Sequence, residues 1–146
     1  MLLPIASQYG ICGVVRLAMR SQGDFCLLDD LVRGTNAPEH MVRKVFQQLG
    51  RRKILRSVRG VRGGFALGKD PRQITLMEVV EVLDGPWPDT PWGEAHLWEI
   101  GEICPLAISL QPLWERFGHY LRITYISDLI DLASDSGRLC LLGENI

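Results

Sequence analysis

The chain has no apolar run near the roughly 20 residues that a membrane-spanning helix needs. No basic segment precedes the apolar residues of Met1 to Gly10, so no signal peptide is read there either. It also lacks any C-x-x-C pair: Cys12, Cys26, Cys104 and Cys140 are scattered singly. That spacing argues against a disulfide framework and against structural zinc, and leaves isolated thiols. Phosphate-binding loops, nucleophile elbows and paired-carboxylate motifs are missing. No catalytic residue is therefore assigned. A small hydrolase or redox protein built on Cys104 and His96 would be the enzyme alternative, and no such motif supports it. The compartment expected from these absences is the cytoplasm.

What is present is a globular composition, 47% hydrophobic and 23% charged, in 146 residues, long enough for one domain and an added element. The net charge of −1 conceals an asymmetry. Between Arg33 and Arg72 stand eleven basic residues against Glu39 and Asp70, a net +9. The rest of the chain carries five basic and fifteen acidic residues, a net −10. A basic segment in an acidic remainder suggests a surface for a polyanion, unless the charges are merely scattered over a solvated face.

Periodicity divides the chain into short helices. Ile5 to Ser21 reads as a helix with Ile5, Tyr9, Cys12, Val15 and Met19 in its stripe, and Gly10 and Gly13 allow another element to approach closely. A short helix over Leu27 to Arg33 faces Leu28, Leu31 and Val32 inward. After the turn Gly34-Thr35-Asn36, Pro38 is placed in the first turn of the next helix. That helix runs to about Gly50, with Met41, Val42, Val45, Phe46 and Leu49 apolar. Glu39, His40, Arg43, Lys44 and Gln47 form its other face. Two helices joined this way, the second with a basic polar face, form a helix-turn-helix pattern.

Ile54 to Val58 and Gly64 to Leu67 are candidate strands around Arg59-Gly60-Val61-Arg62-Gly63. The reading is a wing, its glycines permitting positive φ and its arginines reaching a minor groove; an ordinary basic hairpin is the alternative. Thr75 to Glu78 matches a capping box, with Ile74 and Val79 as a hydrophobic staple, and the helix should stop near Asp84-Gly85-Pro86. Trp87 to Gly101 reads as loop or short helix. A last long helix is expected over Leu110 to Ala133, with its first turn near Pro112, apolar on more than one face as a dimerisation helix must be. From Ser134 the tail looks poorly ordered apart from Leu139 to Leu142.

Together these residues resemble the Rrf family of winged-helix regulators. The most specific part is Leu49 to Leu67, where ILRSVRGVRGGFAL tracks the family's LVKSVRGPGGGYRL. A second match is Asp70-Pro71 followed by Ile74-Thr75-Leu76 and Val79. The fold class implied is mainly α with a small β-hairpin: a winged helix-turn-helix over residues 1–84, a sensor or effector loop over 85–109, and a dimerisation helix and tail over 110–146. The resemblance implies a homodimer with crossed long helices on a palindromic operator of double-stranded DNA, acting as a transcriptional regulator and taken as a repressor. Pro38, His40, Met41 and Arg43 would occupy the base-reading turns. Lys44, Gln47 and Arg51 extend that face, and Arg59, Gly60, Arg62 and Gly63 form the wing tip. Arg59 would enter the minor groove. Arg62 adds a phosphate contact, because Val61-Arg62 stands where the family commonly has Pro-Gly.

Sensing is where the chain departs from the family. Cluster-binding members carry three cysteines ahead of the long helix, whereas Gly85 to Gln111 holds only Cys104. Trp92 and Trp98 stand at six-residue spacing before it, where such a trio would lie. Iron–sulfur clusters normally take four protein ligands. His96 or a second subunit would have to contribute, and Gln8 is not a usual ligand, so a cluster is disfavoured and no cofactor is assigned. Trp92, Trp98, Cys104 and His96 remain weak sensing candidates. Trp87, Trp92, Trp98 and Trp114 suggest a small-molecule pocket or a partner-protein surface, or else simply cover the core. The competing function is a redox-responsive or small-molecule-responsive interaction module without DNA binding.

Overall fold

In a computed structural model, residues 3–21, 24–61, 63–91 and 105–136 are described. The elements are α1 (Ile5–Ser21), α2 (Leu28–Val32), α3 (Glu39–Arg51), β1 (Leu55–Val58), β2 (Gly64–Leu67), a 3-10 turn (Pro71–Gln73), α4 (Leu76–Asp84), α5 (Pro105–Ile123) and α6 (Ile126–Ser136). No described helix is long and apolar enough to cross a membrane.

Helix α1 has the expected span but not the expected stripe. Ile11, Val14, Val15 and Leu17 are buried, while Ile5 is exposed. The reason is that α1 runs through the middle of the fold, touching α3, α4, β2 and α6, so most of its circumference is covered. A Cβ on Gly13 would lie 2.6 Å from the ring of Phe46. That contact lets the fully buried Phe46 seat between α1 and Phe65, whose ring it meets edge-on at 5.2 Å.

Pro38 is the N-cap of α3 and not its first helical residue; its extended backbone (ψ 118°) leaves its carbonyl to accept from Met41 and Val42. Helix α3 ends at Arg51, next to the expected Gly50. It closes in a Schellman turn: Lys53 N–H donates to Gly50 and Ile54 N–H to Leu49, with Leu49 and Ile54 both fully buried. Lys53 consequently holds φ at 62°, a left-handed conformation that favours glycine. Lys53→Gly should therefore stabilise the fold by about 1 kcal/mol, read as a raised urea midpoint; a lowered midpoint would contradict this.

Thr75 caps α4, its hydroxyl accepting from Glu78 N–H at 3.1 Å, and Ile74 and Val79 are both fully buried beside it. The second half of the expected capping box is diverted, because the Glu78 carboxylate pairs with Lys69.

The single long helix expected over residues 110–133 is two helices, beginning five residues earlier at Pro105 and broken at Thr124 and Tyr125. The backbone there is used across the fold. Leu76 N–H donates to Thr124 at 2.9 Å, and Ile126 N–H donates to Ile74 at 2.9 Å where a continuous helix would have turned back on itself. Asp128 then caps α6 by accepting from Tyr125 N–H at 2.7 Å. Pro112 stands inside α5, and α6 continues through Ser134 to Ser136. The Leu139 to Leu142 segment lies outside the described residues. Helix α6 packs back on α1, so Leu129 and Ile130 meet the core of their own chain. On α5, Leu106, Leu113 and Tyr120 recur every seven residues with Ile123 three beyond, and all four are exposed.

Candidate nucleic-acid interface

The turn between α2 and α3 is built from local hydrogen bonds. Gly34 takes φ 76°, and the Thr35 hydroxyl donates to Val32 at 2.7 Å and accepts from Ala37 N–H at 3.3 Å. Buried Arg16, reaching from α1, donates to the Arg33 carbonyl at 3.0 Å and ties the end of α2 to the core. With Val42, Val45, Phe46 and Leu49 buried, α3 can turn only one face outward. On it His40, Arg43, Lys44, Gln47 and Arg51 are exposed, the first four lining a shallow depression with Glu39. Met41 and Pro38 are half-buried at its edge.

The wing stands beside this face. β1 and β2 pair antiparallel with Leu55 opposite Leu67 and Val58 opposite Gly64. The tip closes through Gly63 N–H to the Gly60 carbonyl at 2.9 Å, with Gly60 at φ 118°. Behind it, Cys26 and Phe65 exchange two backbone bonds of 2.8 and 2.9 Å, which fasten the hairpin to the strand-like segment before α2. Gly64 is required there: it holds φ 143°, and a Cβ would fall 2.3 Å from the Cys26 carbonyl oxygen.

Helix and wing enclose a cleft of about 730 Å³ that gathers Arg43, Gln47 and Arg51 from α3 with Arg59, Gly60 and Gly63 from the hairpin. Six of the eleven residues expected at the interface therefore share one concavity, and His40 and Lys44 adjoin it through the depression. Arg62 lies outside the described residues, as do Trp92, His96, Trp98 and Cys104 of the sensing set. Ser57 and Asp29 also line the cleft and were not anticipated. Ser57 shares the strand face of buried Leu55 by alternation and yet is exposed, so its place in the cleft was not readable from the strand pattern. Asp29 enters through the approach of α2, which is tertiary information.

The basic residues divide by partner. Arg33 pairs with Asp30 at 3.0 Å, Arg43 with Glu39, and Lys69 with Glu78. Arg72 grips Asp70 with Nε at 3.1 Å and Nη2 at 2.7 Å, and these bonds hold the Asp70 carboxyl down at about 2. Arg56 is turned along the hairpin, donating to Leu67 at 3.1 Å and lying over the Phe25 ring. Among the described residues of the basic segment Lys44, Arg51, Arg52, Lys53 and Arg59 stand in no ion pair, and all five are exposed. Three of these five, Lys44, Arg51 and Arg59, lie on the cleft and its rim. Burial, the larger effect, and nearby Asp30 push the Cys26 thiol up, so it stays protonated at neutral pH.

A helix-turn-helix whose second helix presents a basic face beside a glycine-tipped wing defines a winged-helix protein of the nucleic-acid-binding kind. Residues 4–132 match the profile of the Rrf2 family, described as "Iron-dependent Transcriptional regulator". Among curated proteins, the HTH-type transcriptional regulator CymR of Bacillus subtilis is 29% identical over 79 residues, 54% of this chain and 57% of CymR. The match thus spans little more than half of that relative. The regulator IscR of Photorhabdus laumondii is 29% identical over 131 residues, 90% of this chain and 80% of that one. Among solved structures, CymR of B. subtilis superposes with a TM-score of 0.74 at 21% identity, over 90% of this chain and 98% of CymR. IscR of T. potens superposes with a TM-score of 0.71 at 14% identity, over 99% of this chain and 94% of that one. The chain belongs to the Rrf2 family, one of transcriptional regulators and not of enzymes.

The family description carries iron, and the donor set can be tested against it. Among the described residues no three His, Cys, Asp or Glu side chains gather as ligands for an ion. Cys12 sits on α1 and Cys26 in the bridge behind the wing, and neither is in a disulfide. The described residues do not fit such a group.

Proposed function

We propose that this chain binds duplex DNA as a homodimer and represses transcription from a palindromic operator. The observation that carries this reading is the cleft joining Arg43, Gln47 and Arg51 to Arg59, Gly60 and Gly63, with Lys44 on its rim. Inserted in a major groove, the N-terminal half of α3 offers His40 and Arg43 to base edges, with Pro38 and Met41 beside them. Lys44 and Arg51 meet phosphates, and the wing carries Arg59 and Arg62 toward the adjacent minor groove. Residues 1–84 serve as the DNA-binding unit, 85–109 as the effector segment and 110–146 as the dimerisation unit. The stripe of Leu106, Leu113, Tyr120 and Ile123 on α5 is the surface a second copy covers, since such an apolar row left in water is unfavourable. The reading places the protein in the cytoplasm and includes no cluster.

Fluorescence anisotropy on duplexes enriched from a random pool, beside unselected duplex, tests DNA binding, and light scattering tests assembly. A palindromic consensus bound at least a thousandfold more tightly than random duplex is expected, from a protein of twice the chain mass. Equal affinity for both duplexes, or a stable monomer at micromolar concentration, would overturn the respective half of the proposal.

A further inference from the structure

A second cavity lined by described residues lies away from the basic cleft. It measures about 790 Å³ and is walled by the N-terminal end of α1, the end of α4 and one side of α5. That volume lies in the range of small-molecule sites. Its wall is aromatic: Trp87 and Trp114 stack at 4.2 Å and 17°, and Phe117 lies 5.6 Å from Trp87 and 6.3 Å from Trp114. The Trp114 indole N–H is already spent on the Pro88 carbonyl at 2.7 Å, so that ring offers its π-system and not a donor. Leu110, Leu113 and Val80 complete an apolar lining. One ionisable side chain is among the described lining residues, and it is a carboxylate, Asp84, at the last residue of α4. The Ser7 hydroxyl donates to its Oδ2, which fixes the carboxylate against α1. No described basic group lines the space to receive an anion.

We infer that this cavity is a binding site for a lipophilic organic cation, an amine, ammonium or phosphonium centre carried on an apolar body. Indole and phenyl faces attract cations through their quadrupoles, and more strongly when water is excluded. An anion would meet a negative charge and the negative faces of three rings. The site also joins two parts of the molecule, because α4 packs on α1 and α3 whereas α5 carries the exposed heptad stripe. A ligand lodged between α4 and α5 sets their separation, and through the dimer it sets the distance between two α3 helices. This regulatory half rests on the DNA-binding reading above; the binding half does not.

The probe is tetraphenylphosphonium, with tetraphenylborate as an anion of nearly the same shape. Calorimetry and tryptophan fluorescence on the full chain should show saturable binding of one phosphonium per chain at micromolar concentration. Borate should bind at least tenfold more weakly. Asp84→Asn should lower phosphonium affinity at least tenfold, and Asp84→Lys should reverse the preference between the two ions. Asp84 is exposed and the Asn amide oxygen can still accept from Ser7, so Asp84→Asn should keep the wild-type circular dichroism spectrum; Asp84→Lys is read only if its spectrum is also unchanged. Trp114→Leu should abolish binding, and Trp87→Leu serves in its place if that variant is unfolded. Equal binding of both ions, absence of saturation, or an Asp84→Lys variant that still prefers the cation would overturn the site. Saturating phosphonium should shift operator affinity at least fivefold. Unchanged affinity at full occupancy would overturn the regulatory half while leaving both the site and the DNA-binding reading standing.

Discussion

Gly64→Ala lowers the melting temperature by about 10 °C, an expected loss of roughly 3 kcal/mol in a chain of this size. Two causes add. The residue holds φ 143°, where an L side chain is strained. The new methyl would also stand 2.3 Å from the Cys26 carbonyl oxygen and 2.7 Å from its carbon, both backbone atoms that cannot swing aside. Relief requires β2 to move off the segment before α2, which breaks the Cys26–Phe65 pair of backbone bonds. Phe65 would be pulled from its edge-on contact with Phe46 at the same time. Gly50→Ala is the contrast: its backbone is helical and nothing lies within 4 Å of the added carbon, so it should stabilise by about 0.5–1 kcal/mol. Thermal melts of the two variants with the parent decide the matter. A Gly64→Ala protein melting within 2 °C of the parent would mean that the wing is not anchored through this bridge.

The DNA-binding half of the fold was legible because its signals are local. Buried Val42, Val45, Phe46 and Leu49 repeat at helical spacing, Thr75 precedes its helix by one residue, and the wing announces itself by glycines between two short apolar runs. Legibility failed where long-range contacts decide. Nothing between Leu110 and Ala133 marks a stop, since the break at Thr124 is imposed by backbone bonds to Ile74 and Leu76, some fifty residues away. The stripe of α1 was misread for a related reason. A helix covered on nearly every side has no single buried face for periodicity to reveal. The Schellman turn that ends α3 was not legible, because it forms on Lys53, a residue with no intrinsic preference for a left-handed backbone.

The charge count was informative about sign but not about disposition. Of the basic residues between Arg33 and Arg72, Arg33, Lys69 and Arg72 are held by acidic partners, and Arg56 is laid along the hairpin. Local spacing shows the Arg43–Glu39 pair at four residues apart, but the Lys69–Glu78 pair needs the fold to bring it together. The cleft as a concavity was not readable from the sequence, because it depends on long-range packing of α3 against the hairpin, including the Phe46–Phe65 contact.

Three substitutions on that cleft should therefore differ in kind, not only in size. Lys44 is exposed on α3 and in no ion pair among the described residues, so on the dimeric DNA-binding proposal Lys44→Ala removes a phosphate contact in each half-site. Affinity for every duplex should fall alike, and the slope of log affinity against log salt should flatten by roughly 1.8, or 0.9 for each of two contacts. Arg43→Ala should cost roughly 1–3 kcal/mol per half-site and relax preference at one base position. Its exposed pair with Glu39 is worth about 1 kcal/mol or less, so that pair does not mask the effect. Arg59→Ala should have the largest effect of the three on operators with A·T-rich flanks, where a narrow minor groove deepens the negative potential. It should matter least where G·C pairs widen that groove. The sites of these losses should repeat about 34–36 Å apart, one helical turn, because a two-fold dimer presents each contact twice. Titrations at several salt concentrations, on the operator, on operators with altered flanks and on random duplex, separate the three behaviours. Wild-type binding by all three variants on all duplexes would mean that the cleft is a solvated basic face and that DNA contacts this protein elsewhere, if at all.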